Sequence, residues 1–143
     1  MLRRATASDV DAIVRIFHDS RAEAMPWLPV LHTNAEYTEH FSRRVAEQEV
    51  WVADDGGRVV GFAALHDGWL NDLYVDPGHQ RRGVGDALFA RSKESMPSGF
   101  RWWVFQWNVR ARRFYEARGG VVIELNDAGG EEQLPDALYE WRP

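Results

Sequence analysis

Residues 73 to 85 run Leu-Tyr-Val-Asp-Pro-Gly-His-Gln-Arg-Arg-Gly-Val-Gly, an order that few folds can accommodate. A short apolar strand leads into a glycine-punctuated turn, and the spacing predicts that the turn opens directly onto a helix. Such a turn points successive backbone N–H groups inward, and the helix start behind it carries partial positive charge. Gly83 and Gly85 remove the side chains that would hold a bulky anion off the backbone. The expected guest is a pyrophosphate.

Other phosphate-binding loops fit this segment less well. A dinucleotide fingerprint needs a third glycine beyond Gly85 at fixed spacing, and none is present. A P-loop needs Gly-Lys-Ser/Thr, yet the only lysine, Lys93, stands further along. The chain has 143 residues, enough for one domain spanning 1–143 with a proper core. Cysteine is absent, which excludes a disulfide framework and thiolate catalysis. With 22 acids against 17 bases the net charge is −5, which does not favour nucleic acid and is compatible with a cationic substrate. Charged residues interrupt every apolar run near the N-terminus, and no run is long enough to span a membrane, so a cytoplasmic protein is expected.

Periodicity supplies the remaining elements. Met1–Arg4 reads as a short strand, and Ser8 with Asp11 reads as a capping box. Val10, Ile13, Val14 and Phe17 then repeat at helical spacing until Met25-Pro26 breaks the pattern. Thr33 and Glu36 open a second helix with Tyr37, Phe41 and Val45 on one face. Strands are expected at 50–53 and 59–65 around an Asp-Asp-Gly-Gly turn, then at 69–75. A helix over 86–95 leads to an aromatic strand at 100–107, which should lie parallel to 69–75 because a helix connects them. A further helix follows Asn108 and stops at Gly119-Gly120. Strands at 121–125 and 137–141 close the sheet, with 126–133 as an exposed connection. The fold class is α/β (α+β), a mixed central sheet of about six to seven strands with about four helices.

Two separated motifs carry a family resemblance. Gln80-Arg81-Arg82-Gly83-Val84-Gly85 fits Gln/Arg-x-x-Gly-x-Gly/Ala, and Asn108 to Glu116 fits Asn-x-x-Ala-x-x-Phe-Tyr-Glu. In this order they resemble the GCN5-related N-acetyltransferases, whose element order matches that read above. The resemblance implies acyl-CoA as the guest, no metal, and a splayed parallel strand pair with the pantetheine arm in the opening. Backbone groups of Leu73, Tyr74 and Val75 would then pair with pantetheine, as in β-augmentation. Gln80, Arg81, Arg82, Gly83, Val84, Gly85 and Asp86 would wrap the pyrophosphate. Arg81 and Arg82 would add charge-assisted contacts or remain solvated surface arginines. Asp86 is an awkward neighbour for an anion and is expected to face outward in the helix's first turn.

The resemblance places Tyr115 on the residue that often protonates the departing CoA thiolate, while its helical stripe also fits simple core packing. Asn108 is a helix cap, a cofactor contact, or both. Some family members deprotonate the amine with a glutamate on the strand before the loop. This chain has none there, and Asp72 is the candidate base, equally readable as structural. Trp27, Leu28 and His32, between the first two helices, are candidates for the acceptor pocket. The implied function is acetyl transfer from acetyl-CoA to a primary amine by direct attack in a ternary complex. Without cysteine a covalent acetyl-cysteine route is excluded. The alternative is a CoA-binding sensor or partner-binding domain of the same fold. Seven tryptophans and the aromatic strand make a homodimer an expectation.

Overall fold

The computed structural model describes residues 1–143. Seven strands form one sheet: β1 (Leu2–Arg4), β2 (Glu49–Asp55), β3 (Arg58–His66), β4 (Trp69–Val75), β5 (Phe100–Phe105), β6 (Val121–Gly129) and β7 (Leu134–Trp141). Their order across the sheet is β1-β2-β3-β4-β5-β7-β6. Every neighbouring pair is antiparallel except β4–β5, which is parallel, as a helical crossover requires. Helices α1 (Val10–Ala24) and α2 (Asn34–Glu47) cover one face, with Ile13, Phe17 and Phe41 packed on Phe62 and Val52. Helices α3 (Val84–Ser95) and α4 (Val109–Glu116) cover the other, where Leu88, Phe89 and Tyr115 meet Leu65, Trp102 and Tyr139. Each large apolar side chain so buried contributes about 1.5–3 kcal/mol. No helix is long and apolar enough to cross a membrane.

Several boundaries differ from the sequence expectation. The first cap is not Ser8 with Asp11 but Thr6 with Asp9, followed by a one-turn 3-10 helix before α1. The Thr6 N–H donates to Asp9 at 2.8 Å, and the Arg3 guanidinium reinforces the cap by donating to both Asp9 oxygens at 2.8 and 2.9 Å. The stretch 126–133 is only partly a connection, because β6 continues to Gly129 and β7 begins at Leu134. The Thr33–Glu36 box forms as expected, with reciprocal hydrogen bonds of 2.8 and 3.2 Å.

Two irregularities position the site. β4 and β5 share a single register pair, Trp69↔Arg101, and then diverge. From Leu70 onward the β5-facing edge of β4 therefore has no strand partner. In the β3–β4 ladder Leu65 opposes Leu70 and Ala64 opposes Asp72, so Asn71 is an extra residue, a bulge. Leu70 packs on the α3 face, whereas Tyr74 packs on the α1–α2 face with Phe17 and Phe62. Asp72 and Tyr74, two residues apart, share a face, and the bulge at Asn71 sets that face opposite to the one Leu70 occupies.

Candidate active site

The turn after β4 is held from within. Asp76 accepts from the Gly78 N–H and pairs with Arg15 at 3.2 Å and Arg58 at 3.3 Å. The Gln80 side chain donates to the Val75 carbonyl. Gly83 has φ +81°, a left-handed conformation that caps α3 and that residues with a Cβ adopt only at a cost. The first intrahelical bond runs from the Ala87 N–H to the Gly83 carbonyl, leaving the Val84, Gly85 and Asp86 N–H groups free for an anion. Gly85 has a further reason in the packing of the fold. A Cβ there would lie 3.2 Å from the Phe114 ring, so glycine permits α3 to sit close on α4.

A cavity of about 340 Å³ runs beside this turn, between the C-terminal end of α1 and helices α3 and α4. Leu73, Tyr74 and Val75 line it, as do Gln80, Arg81, Gly83, Gly85 and Asp86. Arg82 and Val84 do not: Arg82 is exposed, and Val84 packs towards Gly61 of β3. Arg81, Arg110 and Arg118 are its cations, against the single carboxylate of Asp86. Asp86 is not simply turned outward, since it pairs with Arg118, whose guanidinium also lies 3.8 Å from the Phe114 ring centroid. Asn108 caps α4, its side-chain oxygen accepting from the Ala111 N–H at 3.2 Å, and it lines the cavity too.

A second cavity of about 480 Å³ continues from the first where β4 and β5 part. Met25, Leu73, Tyr74, Asn108, Ala111 and Tyr115 line both. Tyr115 is buried, and its hydroxyl makes no hydrogen bond. Burial pushes the Tyr115 phenol well above its ordinary value, and burial likewise pushes Tyr74 up to about 12. Both phenols therefore stay protonated throughout the neutral range. Asp72 is 8 % exposed and lines this second cavity. Burial raises its carboxyl above the usual carboxylate range, opposed by the guanidinium groups of Arg44 and Arg21. Arg44 Nε lies 3.1 Å from Asp72 Oδ2 but is not aligned for a hydrogen bond, so that oxygen has no hydrogen-bond partner.

The residues expected between the first two helices are scattered. Trp27 meets Phe105 and Trp107 edge-on, and neither it nor Leu28 lines the two central cavities. His32 lines an outer polar cavity shared with Asp72 and Tyr74, pairing there with Glu131 at 2.5 Å. Met25, from the same segment, does line both central cavities, whereas sequence reasoning missed Arg118 in the first and Glu132 and Asp136 in the second. The last two arrive through the β5-β7-β6 order, for which no local motif gives a signal.

Comparison with known proteins gives the same answer as the geometry. The profile of the Acetyltransferase (GNAT) family matches residues 13–120. The peptidyl-lysine N-acetyltransferase YiaC of Escherichia coli strain K12 is 27% identical over 142 residues, covering 99% of this chain and 96% of its own. The peptidyl-lysine N-acetyltransferase YjaB of Salmonella typhimurium is also 27% identical, covering 96% and 97%. Among solved structures, the PaiA N-acetyltransferase of Thermoplasma acidophilum in complex with coenzyme A superposes with a TM-score of 0.81. It is 16% identical, with 100% of this chain and 98% of that one covered. With a matching family profile, a mixed seven-stranded sheet and a parted parallel pair beside the anion turn, this chain belongs to the GNAT family and is an N-acetyltransferase.

Proposed function

We propose that residues 1–143 act as one catalytic domain that moves the acetyl group of acetyl-CoA to a primary amine by direct attack in a ternary complex. The observation that carries this reading is the unpartnered edge of β4, flanked by Tyr115 and Asp72 and open to a basic cavity on one side. Acetyl-CoA would supply a thioester whose carbonyl carbon gains a bond to nitrogen as its bond to sulfur breaks. The residues fit such a donor. Backbone groups of Leu73, Tyr74 and Val75 offer partners to pantetheine amides, and the α3 N-terminus with Arg81 and Arg118 offers charge to the pyrophosphate. A free N–H at this strand end would stabilise negative charge developing on the carbonyl oxygen.

Protons balance through two side chains. The incoming ammonium gives its proton to Asp72, directly or through one water, before nitrogen attacks. Tyr115, kept protonated by burial, gives its proton to the departing sulfur and is restored through water by the second proton that nitrogen sheds on becoming an amide, while Asp72 returns the first proton to solvent. Burial raises the Asp72 carboxyl above the usual carboxylate range, which makes it a stronger base than a free carboxylate. The names of YiaC and YjaB make a lysine side chain one amine to test.

A second reading, a CoA-binding sensor, draws on Arg44 standing against Asp72. Thiol release from acetyl-CoA across a panel of amines, run beside calorimetric CoA binding, separates the two. Release with at least one amine is expected. Tight CoA binding without release by any amine would favour the sensor.

A further inference from the structure

The second cavity holds three carboxylates, Asp72, Glu132 and Asp136, and no arginine, lysine or histidine lines it. Two of the three have a cation behind them: Arg44 stands against Asp72 and Arg21 against Glu132, both outside this cavity. Asp136 has none. It is 8 % exposed, no cationic side chain lies within ion-pair distance, and its one hydrogen bond comes from the neutral Asn126 amide at 3.0 Å on Oδ1. Oδ2 is left without a partner. A carboxylate so placed, facing a cavity and without a counter-charge, favours a cation there.

The strand pairing shows that the position is built around the carboxylate. Asp136 on β7 sits opposite Asn126 on β6, and the ladder shifts just beyond, between Asn126 and Gly129. A Cβ on Gly129 would lie 2.2 Å from Asp136 Oδ2. Glycine there gives the carboxylate its space. Aromatic rings of Trp103, Phe105 and Tyr115 share the cavity and favour an alkylammonium over a hydrated metal ion.

We infer that the acceptor is an aliphatic diamine or oligoamine, its reacting nitrogen between Asp72 and Tyr115 and its remote ammonium on Asp136. This rests on the acetyl-transfer reading for which nitrogen reacts, but not for the binding itself. One charge must be lost at the reacting amine, whereas the other persists, so only Asp136 keeps its ion pair during transfer. A monoamine would leave Asp136 unmatched.

The test compares diaminobutane and diaminohexane with butylamine and hexylamine, and with a blocked peptide containing one lysine. Binding to the CoA-loaded protein is measured by calorimetry, and thiol release from acetyl-CoA is followed in parallel. One charge-assisted pair implies a diamine preference of about tenfold or more over the matched monoamine. Asp136→Asn should bring that ratio close to one, and Asn126→Ala, which removes only the neutral partner, should retain it. Thermal unfolding of both variants checks that the fold survives. Equal binding of diamine and monoamine to the wild type, an undiminished ratio in Asp136→Asn, or stronger binding of the peptide would overturn the inference. Selective diamine binding with no thiol release from any amine would uphold the site and sink the transfer reading instead.

Discussion

The two cavities that meet at Tyr115 have opposite charge. The one beside the β4–α3 turn is lined by three arginines and one aspartate, the one between β4 and β5 by three carboxylates and no cation. They share the apolar and aromatic residues around the parted strands, so the change of sign falls where transfer would occur. In the proposed reaction an anionic donor and a cationic acceptor would be drawn from opposite sides without competing for one site. The pairing inside each cavity differs as well. Asp86 is neutralised by Arg118 on the donor side, while Asp136 on the other side has no counter-ion.

Changes at the junction should have the largest effect. Tyr115→Phe is expected to lower turnover by about 10²–10⁴-fold while acetyl-CoA affinity, measured by calorimetry, stays within about twofold. Loss of affinity in place of turnover would make Tyr115 a packing residue of the donor cavity. Asp72→Asn should reduce kcat/KM by about 10–100-fold. Its pH profile is the sharper readout. Burial raises the Asp72 carboxyl, and the base form exists only above that raised value, so wild-type activity should climb with pH through it. The variant should lack this rise.

A control lies outside both cavities. Asp9→Asn should cost about 1–2 kcal/mol of stability in denaturant unfolding, through the weakened Arg3 pair and cap, with kinetics intact. Hydrogen bonds from Arg3 hold the Asp9 carboxyl below the usual range. A lowered folded-state value contributes stability above the unfolded value, about pH 3.9, that is lost as pH falls through the lower one. The difference between wild type and variant should therefore shrink only in acid. The smallest effect is expected for Arg118→Ala, about 1 kcal/mol of acetyl-CoA affinity with a shallower salt dependence, because Arg118 is partly exposed and already shared with Asp86. A larger loss would show that Arg118 contacts the donor directly.

What was legible in the sequence was local. The strand–turn–helix around Gly83, the Thr33–Glu36 box and the Asn108 cap each depend on residues a few positions apart. The first helix start was misread although its cap is local too: Thr6 and Asp9 stand three residues apart, and Arg3 adds two further hydrogen bonds to Asp9. Gly85 was legible as a requirement, but its close contact with the Phe114 ring on another helix was not. Trp27 and Leu28 sat in the expected segment, yet their direction depended on Phe105 and Trp107, far away in the chain.

The sequence by itself determined the order of elements, the glycine turn before α3 and the family, because hydrophobic period, caps and glycine spacing act over one or two turns of chain. Only the tertiary structure decided which carboxylates share a cavity. Asp72 gained its phase from the bulge at Asn71, and Asp136 was brought to the same opening by β7 inserting between β5 and β6. Charge in a binding site depends on distance through space, and strand order, not sequence separation, sets that distance.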